Sequence, residues 1–170
     1  SPAEVDLASE FRYRKPVIRE GDLAIAVSQS GETADTLAAI REAGRLGAKT
    51  VSICNVVDSS IARVTDDVIY THAGPEISVA STKAFTTQLV ALSLFSVWLA
   101  GHMSSDNGED KGSLEERQRA LLTTIRNLPS TIESVLEHRE RIQRIARRYA
   151  QYRHMLYLGR GLGHPVALEG

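Results

Sequence analysis

The chain has a single cysteine, Cys54, among 170 residues. One thiol can form neither an internal disulfide nor a four-thiolate zinc site, which excludes the disulfide-stapled secreted class. That usage fits a reducing compartment, and the cytoplasm is the expected location. Aromatic residues are scarce, at 5% of the chain. Neither sign of charge dominates: 20 Lys plus Arg stand against 21 Asp plus Glu, a formal net charge of −1. A balanced chain offers no whole-molecule attraction to nucleic acid or to an anionic membrane, so neither partner is expected. The five histidines are scattered, without H-x-x-x-H or paired-cysteine spacing, so no metal site is expected. No basic region followed by an apolar core opens the chain, so the first residues do not read as a secretory signal. The first residue is Ser1 rather than Met, which points to a processed or excised piece. No apolar run reaches the ~20 residues a bilayer needs. The longest extends from Phe85 to Ala100 and is interrupted by Thr86, Thr87, Gln88, Ser93 and Ser96. It reads as a helix buried on most sides, with Phe95 and Trp98 in the core; a membrane span is the alternative reading.

What is present is ordinary globular composition, 42% hydrophobic and 24% charged, which is enough apolar surface for a packed core. Leu23–Ser28 and Thr50–Cys54 are short runs rich in β-formers, without clean alternation, and predict buried strands. Between them Leu37, Ile40 and Gly44 recur at helical spacing, and Gly47 is a stop. Strand, helix and strand over this length predict a βαβ crossover, hence a parallel sheet. A helical turn near Ser59–Arg63 and a third strand at Asp67–Thr71 follow. Glu4–Ala8 is a candidate edge strand.

Residues 102–113 are polar and read as a linker. Beyond them, Leu114, Leu121, Ile125 and Leu128 form one helical stripe. Pro129 is expected to break it, because proline suits only a helix start. Ile132, Val135, Leu136, Ile142 and Ile145 form a second stripe, ending near Tyr152. The basic run 139–148 carries its apolar residues on one face, so it reads as a solvated or interface helix rather than a nucleic-acid or calmodulin-type one. His154–Leu158 predicts another buried strand, 159–163 a glycine-rich turn, and Pro165–Gly170 the start of a helix. The G-R-G-L-G-H run misses dinucleotide spacing by one residue, and no cofactor is expected.

The segment Ser28-Gln29-Ser30-Gly31-Glu32-Thr33 sits where a buried parallel strand gives way to a helix. Ligands of doubly wound sheets bind outside the carboxyl ends of strands, and a helix N-terminus offers free N–H groups to an anion. The hydroxyls of Ser28, Ser30 and Thr33 and the amide of Gln29 add neutral hydrogen-bonding groups, and Gly31 permits close backbone approach. The competing reading is simple helix capping. Glu32 argues against an anion site unless its side chain turns away. Val79-Ala80-Ser81-Thr82-Lys83 forms a second hydroxyl-bearing junction, again open to a capping reading. Cys54, mid-strand, reads as inert core.

SQSGETADTLAAIREAGRLGAKTVSICN, then EISVASTKAFTTQL, then LYLGRG…ALEG closely resemble the isomerase part of the glutamine–fructose-6-phosphate aminotransferase (isomerizing) family, within the sugar isomerase (SIS) superfamily. ASEFRYR at residues 8–14 matches the same family. The resemblance covers essentially the whole chain, with the motifs in the family's order. It implies an α/β fold, an SIS-type doubly wound parallel sheet flanked by helices and incomplete at both ends. It implies that Ser28, Gln29, Ser30 and Thr33 hold the phosphate of a hexose 6-phosphate, and that Val79, Ala80 and Ser81 line the sugar. The implied organisation is a first lobe at 1–101 lacking its first strand–helix unit, a linker at 102–113, a helical connection at 114–152 and the start of a second lobe at 153–170. The whole enzymes of this family form glucosamine 6-phosphate from fructose 6-phosphate and glutamine, and they self-associate, a homodimer being expected. The family's proton-transfer glutamate, nearby lysine, ring-opening histidine and Schiff-base lysine match no residue here, so the chain by itself is expected not to turn over. Two other readings stand beside this one: a non-catalytic SIS module that senses a phosphosugar, and a dimerisation fragment whose hydroxyls are only caps.

Overall fold

The computed structural model describes residues 3–77, 81–103 and 111–169. The chain forms two compact units, Ser1–Gln118 and Arg119–Gly170. The first carries a parallel sheet of three strands in the order β1-β2-β3, namely β1 (Leu23–Ser28), β2 (Lys49–Cys54) and β3 (Asp67–Tyr70). Helix α1 (Ala8–Phe11) precedes the sheet, and α2 (Ala34–Arg45) crosses from β1 to β2. The βαβ crossover and the third strand expected from the sequence are therefore present. Ser28 pairs with Cys54, and Cys54 with Tyr70, so all three strands end in one row. The loops that follow them leave the same edge of the sheet.

The core lies between the sheet and α2. Ala26, Leu37, Ile40, Cys54 and Ile61 are buried together, with Ala24, Val68 and Tyr70 packed against them. Leu37, Ile40 and Ala43 are the buried residues of α2, a helical stripe in which Ala43 takes the place expected for Gly44. Gly47 adopts φ +102° and ends the turn after α2 as expected. β2 is buried from Thr50 to Cys54, whereas β1 buries Ala26 and Ser28 and leaves Leu23, Ile25 and Val27 exposed. The fully buried strand expected for β1 is thus covered on one face only, because α2 packs on that face and no described helix covers the other.

Helix α3 (Lys83–Met103) packs against β2 and, with Ile69 of β3, borders an open apolar groove. Ile53 and Ile69 are register partners, on the opposite face from Cys54, so α2 and α3 flank the two sides of the sheet. The expectation of a helix buried on most sides is corrected: among its described side chains only Ala84 and Ala91, seven residues apart on one face, are buried, and Trp98 is 56% exposed. A helix apolar all round needs cover on several faces, and the first unit provides it on one. By length and composition alone, Lys83–His102 would also suit a membrane span.

Other expectations need correction as well. Residues 3–7 form no strand, and Val5 is 98% exposed. The free edge of β1 lies at the margin of the sheet and no described strand bridges it to this segment. The linker expected at 102–113 is helical at both margins, since α3 extends to Met103 and α4 (Lys111–Glu137) starts at Lys111; residues 104–110 lie outside the described residues.

In the second unit, Pro129 lies inside α4 rather than ending it. The helix tolerates the missing N–H at a cost of ~3 kcal/mol, and the break falls instead at His138, before α5 (Arg139–Tyr149). The apolar stripe of α5 is present but exposed, Ile142 and Ile145 included. His154–Leu158 carries no regular secondary structure, with Leu156 83% exposed. Its residue types favour a strand, but a strand needs a hydrogen-bonded neighbour, and none of the described strands pairs with it. A turn at 161–162 leads into α6 (Gly163–Glu169).

Candidate functional site

The loop from Ser28 to Thr33 leaves the carboxyl end of β1 and enters α2. Ser28 is buried, and its Oγ accepts a hydrogen bond from the Gly31 N–H at 3.1 Å. Ser30 Oγ accepts from the Glu32 N–H at 3.2 Å. Each hydroxyl is thereby oriented by the loop while keeping its own proton to donate. Thr33 is the N-cap residue of α2 by position, yet its side chain makes no capping bond. Capping therefore does not account for Thr33, which leaves the first-turn N–H groups of α2 without a bond from their N-cap residue.

Gly31 shows why the loop takes this shape. It has φ +67°, the left-handed region, and its carbonyl accepts from the Ile61 N–H at 3.0 Å. A Cβ there would overlap Ser59 Oγ, and would lie 2.6 Å from Ser59 Cβ and 2.8 Å from Ile61 Cγ2. Only glycine permits this close approach of the two loops. The negative charge of Glu32 is engaged by the 59–63 turn. Its Oε1 accepts from the Ser60 N–H at 2.7 Å. Hydrogen bonding from Ser60, first its hydroxyl and then its backbone, holds the Glu32 carboxyl below the usual carboxylate range. The carboxylate that argued against an anion site is thus spent on pinning the loop to the 59–63 turn.

The second junction is built differently. Glu76 accepts from the Thr82 N–H and the Ala84 N–H, each at 3.2 Å, and from Thr82 Oγ1 at 3.1 Å. The Glu76 carboxylate therefore caps the start of α3. Ser81 Oγ is buried and has no hydrogen-bond partner among the described atoms. A buried hydroxyl without a partner is costly and asks for one. Val79 and Ala80 lie outside the described residues. Cys54 is buried and burial pushes its thiol up, as suits inert core. Among the described residues no cluster of metal-ligating side chains occurs.

A family model described as the SIS domain matches residues 1–97. The chain belongs to the SIS domain family. The match takes in the sheet, the 28–33 loop and most of α3. Over 169 residues and 99% of its length, this SIS chain is 48% identical to a protein of Clostridium acetobutylicum named glutamine–fructose-6-phosphate aminotransferase [isomerizing]. It is 46% identical to the protein of the same name from Caldanaerobacter subterraneus subsp. tengcongensis, again over 99% of the chain. In each case it spans 27% of the relative's length. In structure it is similar to the C-terminal domain of glucosamine-fructose-6-phosphate aminotransferase from Francisella tularensis. That likeness has a TM-score of 0.85 and 38% identity, and it covers 99% of this chain and 46% of that one.

Two residues of this SIS loop system were not singled out by sequence reasoning. Ser59 forms the wall against which Gly31 packs. Asn55 follows β2, donates its backbone N–H to the Gln29 carbonyl at 3.1 Å, and bonds through its side chain to the 71–74 segment. An asparagine at a strand end beside turn residues is the signal that could have marked it.

Proposed function

We propose that this chain is the hexose-6-phosphate-binding SIS lobe of an enzyme that forms glucosamine 6-phosphate from fructose 6-phosphate and glutamine. The observation that carries the reading is the 28–33 loop. It sets three hydroxyls at a helix N-terminus whose N-cap residue makes no side-chain capping bond, and its one carboxylate is bonded to Ser60. Ser28, Gln29, Ser30 and Thr33 hold the phosphate, with donors from side chains and from the first turn of α2. Val79, Ala80 and Ser81 line the sugar, and the orphan hydroxyl of Ser81 finds its partner there. Residues 153–170 open a second lobe. The names of relatives matched over the whole chain support the substrate class.

Moving a proton between adjacent sugar carbons needs a base within hydrogen-bond reach. The two carboxylates near the loops are engaged structurally, Glu32 on Ser60 and Glu76 on the start of α3. The lobe's part in the reaction is therefore to bind and orient, and turnover draws on groups outside it. The whole protein is a cytoplasmic homodimer in this reading.

Calorimetric titration tests it. Glucosamine 6-phosphate should bind saturably, glucosamine should not, and Ser30→Ala should weaken the phosphosugar by about tenfold, the loss of one hydrogen bond to a charged group. Equal affinity for the two sugars would contradict the phosphate assignment and favour the caps-only reading.

A further inference from the structure

Asn55 sits between the 28–33 loop and the segment that follows β3, and bonds to both. Its backbone N–H holds the Gln29 carbonyl of the first loop. Its side chain holds the 71–74 segment: Oδ1 accepts from the Ala73 N–H at 2.8 Å and from Thr71 Oγ1 at 3.1 Å, and Nδ2 donates to the Gly74 carbonyl at 2.7 Å. The segment it grips contains two residues with left-handed backbone, His72 at φ +50° and Gly74 at φ +73°. A non-glycine residue in that region is held there by its surroundings. The segment leads directly to Glu76, whose carboxylate fixes the start of α3 next to the partnerless hydroxyl of Ser81.

We propose that Asn55 is a positioning residue that sets the separation between the phosphate-holding loop and the Ser81 hydroxyl, and so selects phosphosugars of fitting length. The inference rests on the reading of residues 28–33 as a phosphate loop. Asn55 need not touch the ligand. The side-chain and backbone roles are separable, because the bonds that shape the 28–33 loop, from Gly31 to Ser28, Ile61 to Gly31 and Ser60 to Glu32, do not involve the Asn55 amide. Removing that amide frees the 71–74 segment and leaves the phosphate loop in place. A ligand that is only a phosphate should not feel the change, whereas one that must reach both the loop and the Ser81 hydroxyl should.

The test titrates glucosamine 6-phosphate and inorganic phosphate into the whole protein, as wild type, Asn55→Ala and Thr71→Val. Asn55→Ala is expected to weaken the phosphosugar about tenfold and to leave inorganic phosphate within about twofold. Thr71→Val removes a single bond to the same Oδ1 and should shift the phosphosugar in the same direction by less. Equal losses for both ligands in Asn55→Ala would mean general damage to the fold, and unchanged phosphosugar affinity in both variants would mean no coupling; either overturns the inference. Failure of the wild type to bind either ligand would instead overturn the phosphate-loop reading, and this inference with it.

Discussion

Gly31 is the residue on which the shape of the site turns. Its carbonyl is held by the Ile61 N–H, its φ is positive, and Ser59 and Ile61 fill the space where a Cβ would go. Gly31→Ala adds left-handed strain to overpacking, together roughly 2–5 kcal/mol of destabilisation. Thermal or denaturant unfolding should show that loss, and phosphosugar affinity should fall with it; an unchanged unfolding midpoint would mean the loop relaxes freely. At this scale the sequence was informative where chemistry is local. Glycine in S-x-S-G announced a close approach, and the apolar spacing of Leu37 and Ile40 announced a buried face. It was silent on Asn55, Ser59 and the destination of Glu32, because each depends on a contact with a segment far along the chain. The capping role divided in the same way: Thr33 looks like a cap and makes no capping bond, while Glu76, outside the hydroxyl-bearing 79–83 junction, bonds the start of α3.

Elements were legible wherever their partners lie nearby in the chain. β1, α2, β2 and β3 form one continuous crossover unit, and each falls within a residue or so of the range its pattern predicts. His154–Leu158 and Glu4–Ala8 were not legible in this sense, since strand character is completed only by a neighbouring ladder. α3 was misjudged as deeply buried because composition reports what a helix could bury, not what covers it. A tie at the opposite end of the sheet from the site offers a further prediction. Asp66, just before β3, accepts from the Thr50 N–H and Thr50 Oγ1, both at 2.8 Å, and its own N–H donates to Thr50 Oγ1 at 3.0 Å. The Thr50 N–H first, then its hydroxyl, hold the Asp66 carboxyl below the ordinary aspartate range. A carboxyl depressed in the folded state contributes stability above its unfolded pKa, near 4, and loses it as pH falls through the lower folded value. Stability should therefore decline below about pH 4, and Asp66→Asn should flatten that acid limb in unfolding curves. An acid limb of the same steepness in the variant would assign the proton uptake elsewhere, with Glu32 the first alternative.

On the scale of the whole molecule, the parallel sheet brings the ends of β1, β2 and β3 into one row, so three loops of different chemistry leave the same edge. One supplies hydroxyls and a helix N-terminus, one supplies Asn55 and Ser59, and one leads to Ser81. That convergence follows from topology, which the βαβ pattern predicted, whereas the hydrogen bonds that lock the loops together became visible only in three dimensions. The chain spans about a quarter of the length of the curated relatives it matches, and the proposed activity belongs to the whole protein. The central claim is that the 28–33 loop holds a phosphate, and a crystal structure of the whole protein with glucosamine 6-phosphate tests it most directly. The account predicts phosphate oxygens within hydrogen-bond distance of the Ser28, Ser30 and Thr33 hydroxyls, with Glu32 still bonded to Ser60. A phosphate bound elsewhere, with this loop facing only solvent, would contradict it.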